Sequence, residues 1–106
     1  MKDFIKFMKK SLFTIRKKKK EDHPQIIIDA NKTKFSSLPL THSKKQGFRK
    51  NIELETNPNP KDAAKAYVSK RMVTDFKFRF SKAFKNYKLS DNDARKILVY
   101  LKNRKK

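Results

Sequence analysis

A mainly α-helical fold with a minor β element is what the sequence predicts, with α+β as the neighbouring class. The expectation rests on an amphipathic N-terminal segment, a long patterned stretch opening at Asn59-Pro60, and a capped helix start at Ser90-Asp91-Asn92-Asp93. At 100° per residue, Phe4, Ile5, Met8, Leu12 and Ile15 share one third of a helix surface, with Phe7 and Phe13 at its flanks. Lys2, Lys6, Lys9 and Lys10 lie off that stripe, and the run Arg16, Lys17, Lys18, Lys19, Lys20 extends the charge. Pro24 cannot continue a helix and biases His23 to an extended conformation. A helix over about 2–19 follows, and residues 1–23 read as a basic amphipathic helix with a polybasic arm.

Residues 24–59 read as an irregular or short-strand segment. Ile26, Ile27 and Ile28 form a β-branched run suited to a strand over 25–29. Residues 31–43 are rich in Ser, Thr, Asn and Lys and contain Pro39, so a loop is expected there. A second strand over 49–56 places Ile52 and Leu54 on one face and Glu53 and Glu55 on the other. The two strands could pair as an antiparallel ribbon, or the segment could order only on a partner.

Residues 60–106 read as a helical hairpin domain. Asn59 suits an N-cap, Pro60 the first helical position and Asp62 the first turn. Along the helix so begun, Met72, Val73, Phe76, Phe80, Ala83, Phe84 and Tyr87 share a face, while Lys70, Arg71, Lys77, Lys82, Lys85 and Lys88 collect opposite. The strict alternation Phe76-Lys77-Phe78-Arg79-Phe80 makes a strand over 72–80 the competing reading. Ser90 with Asp93 three residues on is an acidic capping box, and Ala94, Ile97, Leu98 and Leu101 stripe the helix that follows. The core is expected to draw on Met72, Phe76, Phe80, Phe84, Tyr87, Ile97, Leu98 and Leu101. Ile26 to Ile28, Met8 and Leu12 would help.

Composition narrows the function. The chain has 106 residues, with 30 Lys plus Arg against 10 Asp plus Glu and a net charge of +20. That length suits one small domain. Its hydrophobic fraction of 36% limits the core. There is no Cys, which excludes disulfides and thiolate metal sites. No apolar run approaches the ~18 residues of a spanning helix, and a cytoplasmic location is expected.

Catalytic signals are sparse. His23 and His42 sit in polar, loop-like context, and a lone Gly47 excludes glycine-rich phosphate loops. Asp91-Asn92-Asp93 opens like a calcium loop, yet the required Gly is missing and Lys102 stands at the twelfth position. Neither enzyme activity, a cofactor nor a metal is expected.

The charge points instead to a polyanion. Cations that neutralise phosphates release condensed counterions, so nucleic acid (DNA or RNA) is the expected partner, bound mainly through its backbone and with weak sequence preference. The expected phosphate contacts are Lys70, Arg71, Lys77, Lys82, Lys85 and Lys88, with Arg16, Lys17, Lys18, Lys19 and Lys20 as a second basic arm. Phe78 would lie among cations, placed to stack on an unpaired base or to pack on another apolar surface. The final helix opens with acidic residues that repel phosphates, which argues against a base-reading helix-turn-helix. Two alternatives remain: an anionic membrane surface bound through the 2–20 helix, or an acidic protein on which the chain docks as an inhibitor or assembly protein.

Overall fold

Three consecutive isoleucines organise the molecule. The computed structural model describes residues 12–104, and in it Ile26, Ile27 and Ile28 lie within β2 (Pro24–Ala30), buried on both sides of the sheet. Full burial of such a side chain contributes about 1.5–3 kcal/mol, and a strand covered on both faces belongs at the centre of a sheet. β1 (Ile15–Lys17) pairs antiparallel on one side of it and β3 (Lys34–Thr41) on the other. The β2–β3 turn is built by Asn31, whose Oδ1 accepts from the backbone N–H groups of Thr33 (3.0 Å) and Lys34 (2.8 Å). Short asparagine side chains favour this kind of local turn.

β3 then serves two further partners in succession. The small hairpin β4 (Lys45–Gln46) and β5 (Arg49–Lys50) projects after it, turning at Gly47, whose φ of +62° is the left-handed conformation a two-residue hairpin loop requires. β6 (Ile52–Glu53) pairs with β7 (Tyr67–Val68), and β7 pairs with Leu40 and Thr41 of β3. β8 (Val73–Phe76) takes the other half of β3, from Lys34 to Ser37. Pro39, which has no N–H to give, falls at the seam between these two partners, and its carbonyl accepts from the Ser69 N–H at 2.8 Å.

After β8 a single 3-10 turn (Lys77–Arg79) carries the chain from the β3 side to β1. There the Lys19 N–H donates to the Arg79 carbonyl, Ser81 N–H to Lys17 and Phe84 N–H to Ile15, each at 2.8 Å. Residues 77–84 thus strap one edge of the sheet to the other. Under the strap Phe80 meets Phe35 edge to face, ring centroids 5.4 Å apart, beside Ile27.

The opposite face is closed by α1 (Asp91–Arg104). The Ser90 Oγ accepts from the Asp93 N–H at 3.1 Å, the expected cap. Ile97 enters the main core with Ile26, Ile28, Leu38, Leu40, Leu54 and Val68. Asp93 is wholly buried, and its carboxylate accepts from the N–H groups of Glu55 (2.7 Å) and Thr56 (3.2 Å), which fastens the helix start to the segment that follows β6.

Among the described residues the architecture is therefore mainly β, with a six-stranded antiparallel sheet, a two-stranded sheet and one C-terminal helix, and the mainly helical expectation is corrected. Within the expected 2–19 helix, residues 15–17 form β1, because Ile15 pairs with Ile26 and enters the core; residues 2–11 lie outside the described residues. The expected helix from Pro60 to Lys88 does not form. Its cap residues make successive Asx turns instead: Asn57 Oδ1 accepts from Asn59 N–H, Asn59 Oδ1 from Lys61 and Asp62 Oδ1 from Ala64, each within 3.0 Å. Beyond them, pairing with β3 and β6 overrides the local periodicity, and the strand reading holds over 73–76.

Of the remaining elements, the segment read as a loop at 31–43 contains β3. Its serines are satisfied there, Ser37 by Gln25 Oε1 at 2.9 Å and Ser36 by Thr74 Oγ1 at 2.8 Å. The ribbon between 25–29 and 49–56 does not form, since β6 pairs with β7. In the core, Phe80, Ile97 and Ile26 to Ile28 are buried as expected, whereas Phe76 and Leu98 are exposed.

Candidate nucleic-acid interface

Cross-strand geometry builds an exposed aromatic pair. In the β3–β8 ladder Phe76 stands opposite Lys34, whose Nζ lies 5.1 Å from the ring centroid. The 3-10 turn folds Phe78 back onto Phe76, giving nearly parallel rings (16°) with centroids 5.5 Å apart. Arg79 sits over the outer ring, its Cζ 5.9 Å from the Phe78 centroid. Phe76 and Phe78 remain 41% and 68% exposed, so this turn presents aromatic faces and cations to solvent together.

Behind the pair, Arg16 (4.8 Å) and Lys77 (5.2 Å) both lie over the buried Phe35 ring. Arg16 also donates to Thr14 Oγ1 and to the Ser81 carbonyl, and burial pulls its pKa below the usual guanidinium value. Arg16 therefore packs the strap in place, whereas Lys77 is shared between the ring and the surface.

A second basic feature is a polar cleft of about 560 Å³ beside the β4–β5 hairpin. Lys18, Lys45 and Arg71 line it with Glu21, His23, Gln25, Gln46, Asn51 and Ser69. Lys18 is neutralised in place, 3.0 Å from Asp75 and 3.6 Å from Glu21. Asp75 titrates below the usual carboxylate range, chiefly through the Lys18 hydrogen bond, then through the Phe76 N–H. Arg71 is shared with a shallower hollow that includes Gln46, Phe48 and Arg49. Phe48 stands at the hairpin tip, fully exposed among Lys44, Lys45, Arg49 and Lys50.

The expected contact residues do not share one helix face. Lys77 and Phe78 belong to the aromatic turn, and Lys18 and Arg71 to the cleft. Lys17, Lys19 and Lys20 are exposed at the end of β1 and in the turn after it. Lys70 is set apart, its Nζ 5.5 Å from the Tyr100 ring. Lys82, Lys85 and Lys88 are exposed along the strap and the segment that follows it. Sequence reasoning missed Lys34, Arg79 and the whole β4–β5 hairpin. The hairpin had a readable signal, a single Gly inside Lys44-Lys45-Gln46-Gly47-Phe48-Arg49-Lys50.

The remaining polar chemistry is local. His42 Nε2 and Asp62 Oδ2 pair at 2.7 Å on an exposed loop, and the Ala64 N–H followed by His42 holds the Asp62 carboxyl below its usual range. Among the described residues no group of three or more His, Asp or Glu is placed to hold a metal ion, and no helix is long and apolar enough to cross a membrane. No family model, curated protein or solved structure matches the chain.

Proposed function

We propose that this chain is a non-enzymatic nucleic-acid-binding protein that takes phosphates with its Lys and Arg side chains and unpaired bases on the Phe76–Phe78 stack. The observation that carries the reading is that stack: two nearly parallel, exposed rings with Lys34 over one and Arg79 over the other. Every base has a π-face, so such a platform tolerates any sequence, and base–aromatic stacking is worth about 1–3 kcal/mol per base. The net charge of +20 supplies the sequence-independent attraction.

The test is a pair of variants titrated with a fluorescent single-stranded oligonucleotide. F78A is expected to lose about tenfold in single-strand affinity while duplex affinity changes little. K77E/R79E is expected to weaken binding to every sequence and to flatten its salt dependence. Affinity unchanged in both would remove the aromatic turn from the interface.

Of the 2–20 segment on which the membrane alternative rests, residues 15–17 are strand and residues 2–11 lie outside the described residues. Docking on an acidic protein would use the same cations without needing exposed parallel rings.

A further inference from the structure

The cleft beside the β4–β5 hairpin has features that phosphate tracking does not require. We propose that it is a nucleotide pocket, which takes one base of a bound single strand together with its phosphate and favours a keto-bearing base such as uracil or thymine. The proposal rests on the nucleic-acid reading above and adds to it a degree of base selection.

Size and chemistry support this occupant. The volume of about 560 Å³ falls within the roughly 300–1,000 Å³ of small-ligand sites. Gln25, only 1% exposed, lines the cleft with its Oε1 already taken by the Ser37 hydroxyl at 2.9 Å. Gln46 is arranged alike, its Oε1 accepting from Ser69 Oγ at 2.8 Å. In both carboxamides the oxygen is satisfied internally, and the NH₂ group has no hydrogen-bond partner among the described residues. Both glutamines line the cleft, and carboxamide donors turned to its occupant would match the carbonyl oxygens of uracil or thymine. Adenine, with an exocyclic amine and no carbonyl, fits them less well.

The cations of the lining suit the phosphate. Arg71 and Lys45 both line the cleft, and neither side chain has an ion pair among the described residues. Phe48 stands fully exposed on the hairpin tip and lines the neighbouring hollow, which shares Gln46 and Arg71 with the cleft, so a strand leaving the cleft past Arg71 would meet its ring. An apolar ring exposed on a hairpin this basic has no packing role within the described fold.

Calorimetric titration of the full chain with UMP, AMP and inorganic phosphate tests the pocket. UMP is expected to bind saturably and more tightly than AMP or phosphate. R71A and K45A should each weaken UMP by about tenfold, the worth of one charge-assisted contact. F48A should weaken it by about fivefold or more through lost stacking. K32A, in the turn at the far end of β2–β3, controls for charge and should leave UMP binding unaltered.

Equal affinity for phosphate and UMP would overturn the pocket, because the base would then contribute nothing. Equal affinity for AMP and UMP would overturn the keto selection. No saturable UMP binding by a chain that still binds oligonucleotides through Phe78 overturns the pocket and leaves the nucleic-acid reading standing. A chain that binds neither overturns both.

Discussion

The Lys18 ammonium meets the Asp75 carboxylate at 3.0 Å, joining the end of β1 to β8, two elements that share no ladder hydrogen bonds. Asp75 also lies 3.6 Å from Arg79 and accepts from the Phe76 N–H at 2.8 Å. One carboxylate thus orders the start of the aromatic turn, holds the strap, and removes Lys18 from the pool of free cations lining the cleft. In a chain with so few acidic groups, its position decides which of the surrounding cations remain available to a polyanion.

The first prediction follows from that position. A carboxylate whose folded pKa is depressed adds stability above its unfolded value of about 4, and that stability is lost as pH falls through the folded value. D75N should therefore melt below the parent chain at pH 7, and the gap between their Tm values should shrink as pH falls below about 4. A gap that stays constant down to pH 2 would deny the pair its role.

Asp93 gives a second, independent prediction. Truncating it empties a fully buried carboxylate site and leaves the part-buried N–H groups of Glu55 and Thr56 without acceptors. An unsatisfied buried donor costs about 1–3 kcal/mol, so D93A should lose about 2–4 kcal/mol in urea unfolding. D93N, which keeps one oxygen, should lose less. If D93A unfolds at the parent's urea midpoint, α1 is not fastened through this side chain.

Charge reversals separate the surfaces. Lys77 and Arg79 belong to the aromatic turn, whereas Lys82 and Lys85 are exposed beyond it in the chain and lie over no ring among the described residues. K77E/R79E should weaken single-strand binding more than K82E/K85E, and each lost phosphate contact should lower the salt slope by about 1. Equal losses in the two double variants would mean that net charge alone sets affinity.

Self-repulsion leads to a prediction about stability. With a net charge of +20, the folded chain confines cations that added salt screens and a polyanion neutralises. Tm should rise with NaCl and rise further with a short oligonucleotide. Thermal melts across salt concentration measure both.

What the sequence disclosed is what local chemistry decides. α1 could be placed because its Ser90 cap and Ile97 stripe lie within one segment, and β2 because three β-branched residues in a row have few other uses. β3 was hidden because Ser36, Ser37 and Pro39 look like loop residues until Thr74, Gln25 and the β7–β8 seam supply their partners. The same limit produced the false helix at 60–88. Asn59 and Asp62 cap equally well as turns, and aromatic spacing at 76, 80, 84 and 87 fits a helix face until β3 offers a ladder. Within the candidate site, Lys77 and Phe78 could be named from charge, although on a helix face that does not form. The cleft could not, since its walls come from four separate stretches of chain.

The central claim is that exposed aromatics among cations bind unpaired bases, and one measurement addresses it most directly. Fluorescence anisotropy of the parent chain and F78A is followed against single-stranded DNA, duplex DNA, RNA and anionic vesicles at two salt concentrations. The account predicts salt-sensitive binding that is tighter for single strands than for duplex, with the F78A loss confined to single strands. Equal weak binding to all four polyanions, unaffected by F78A, would contradict it.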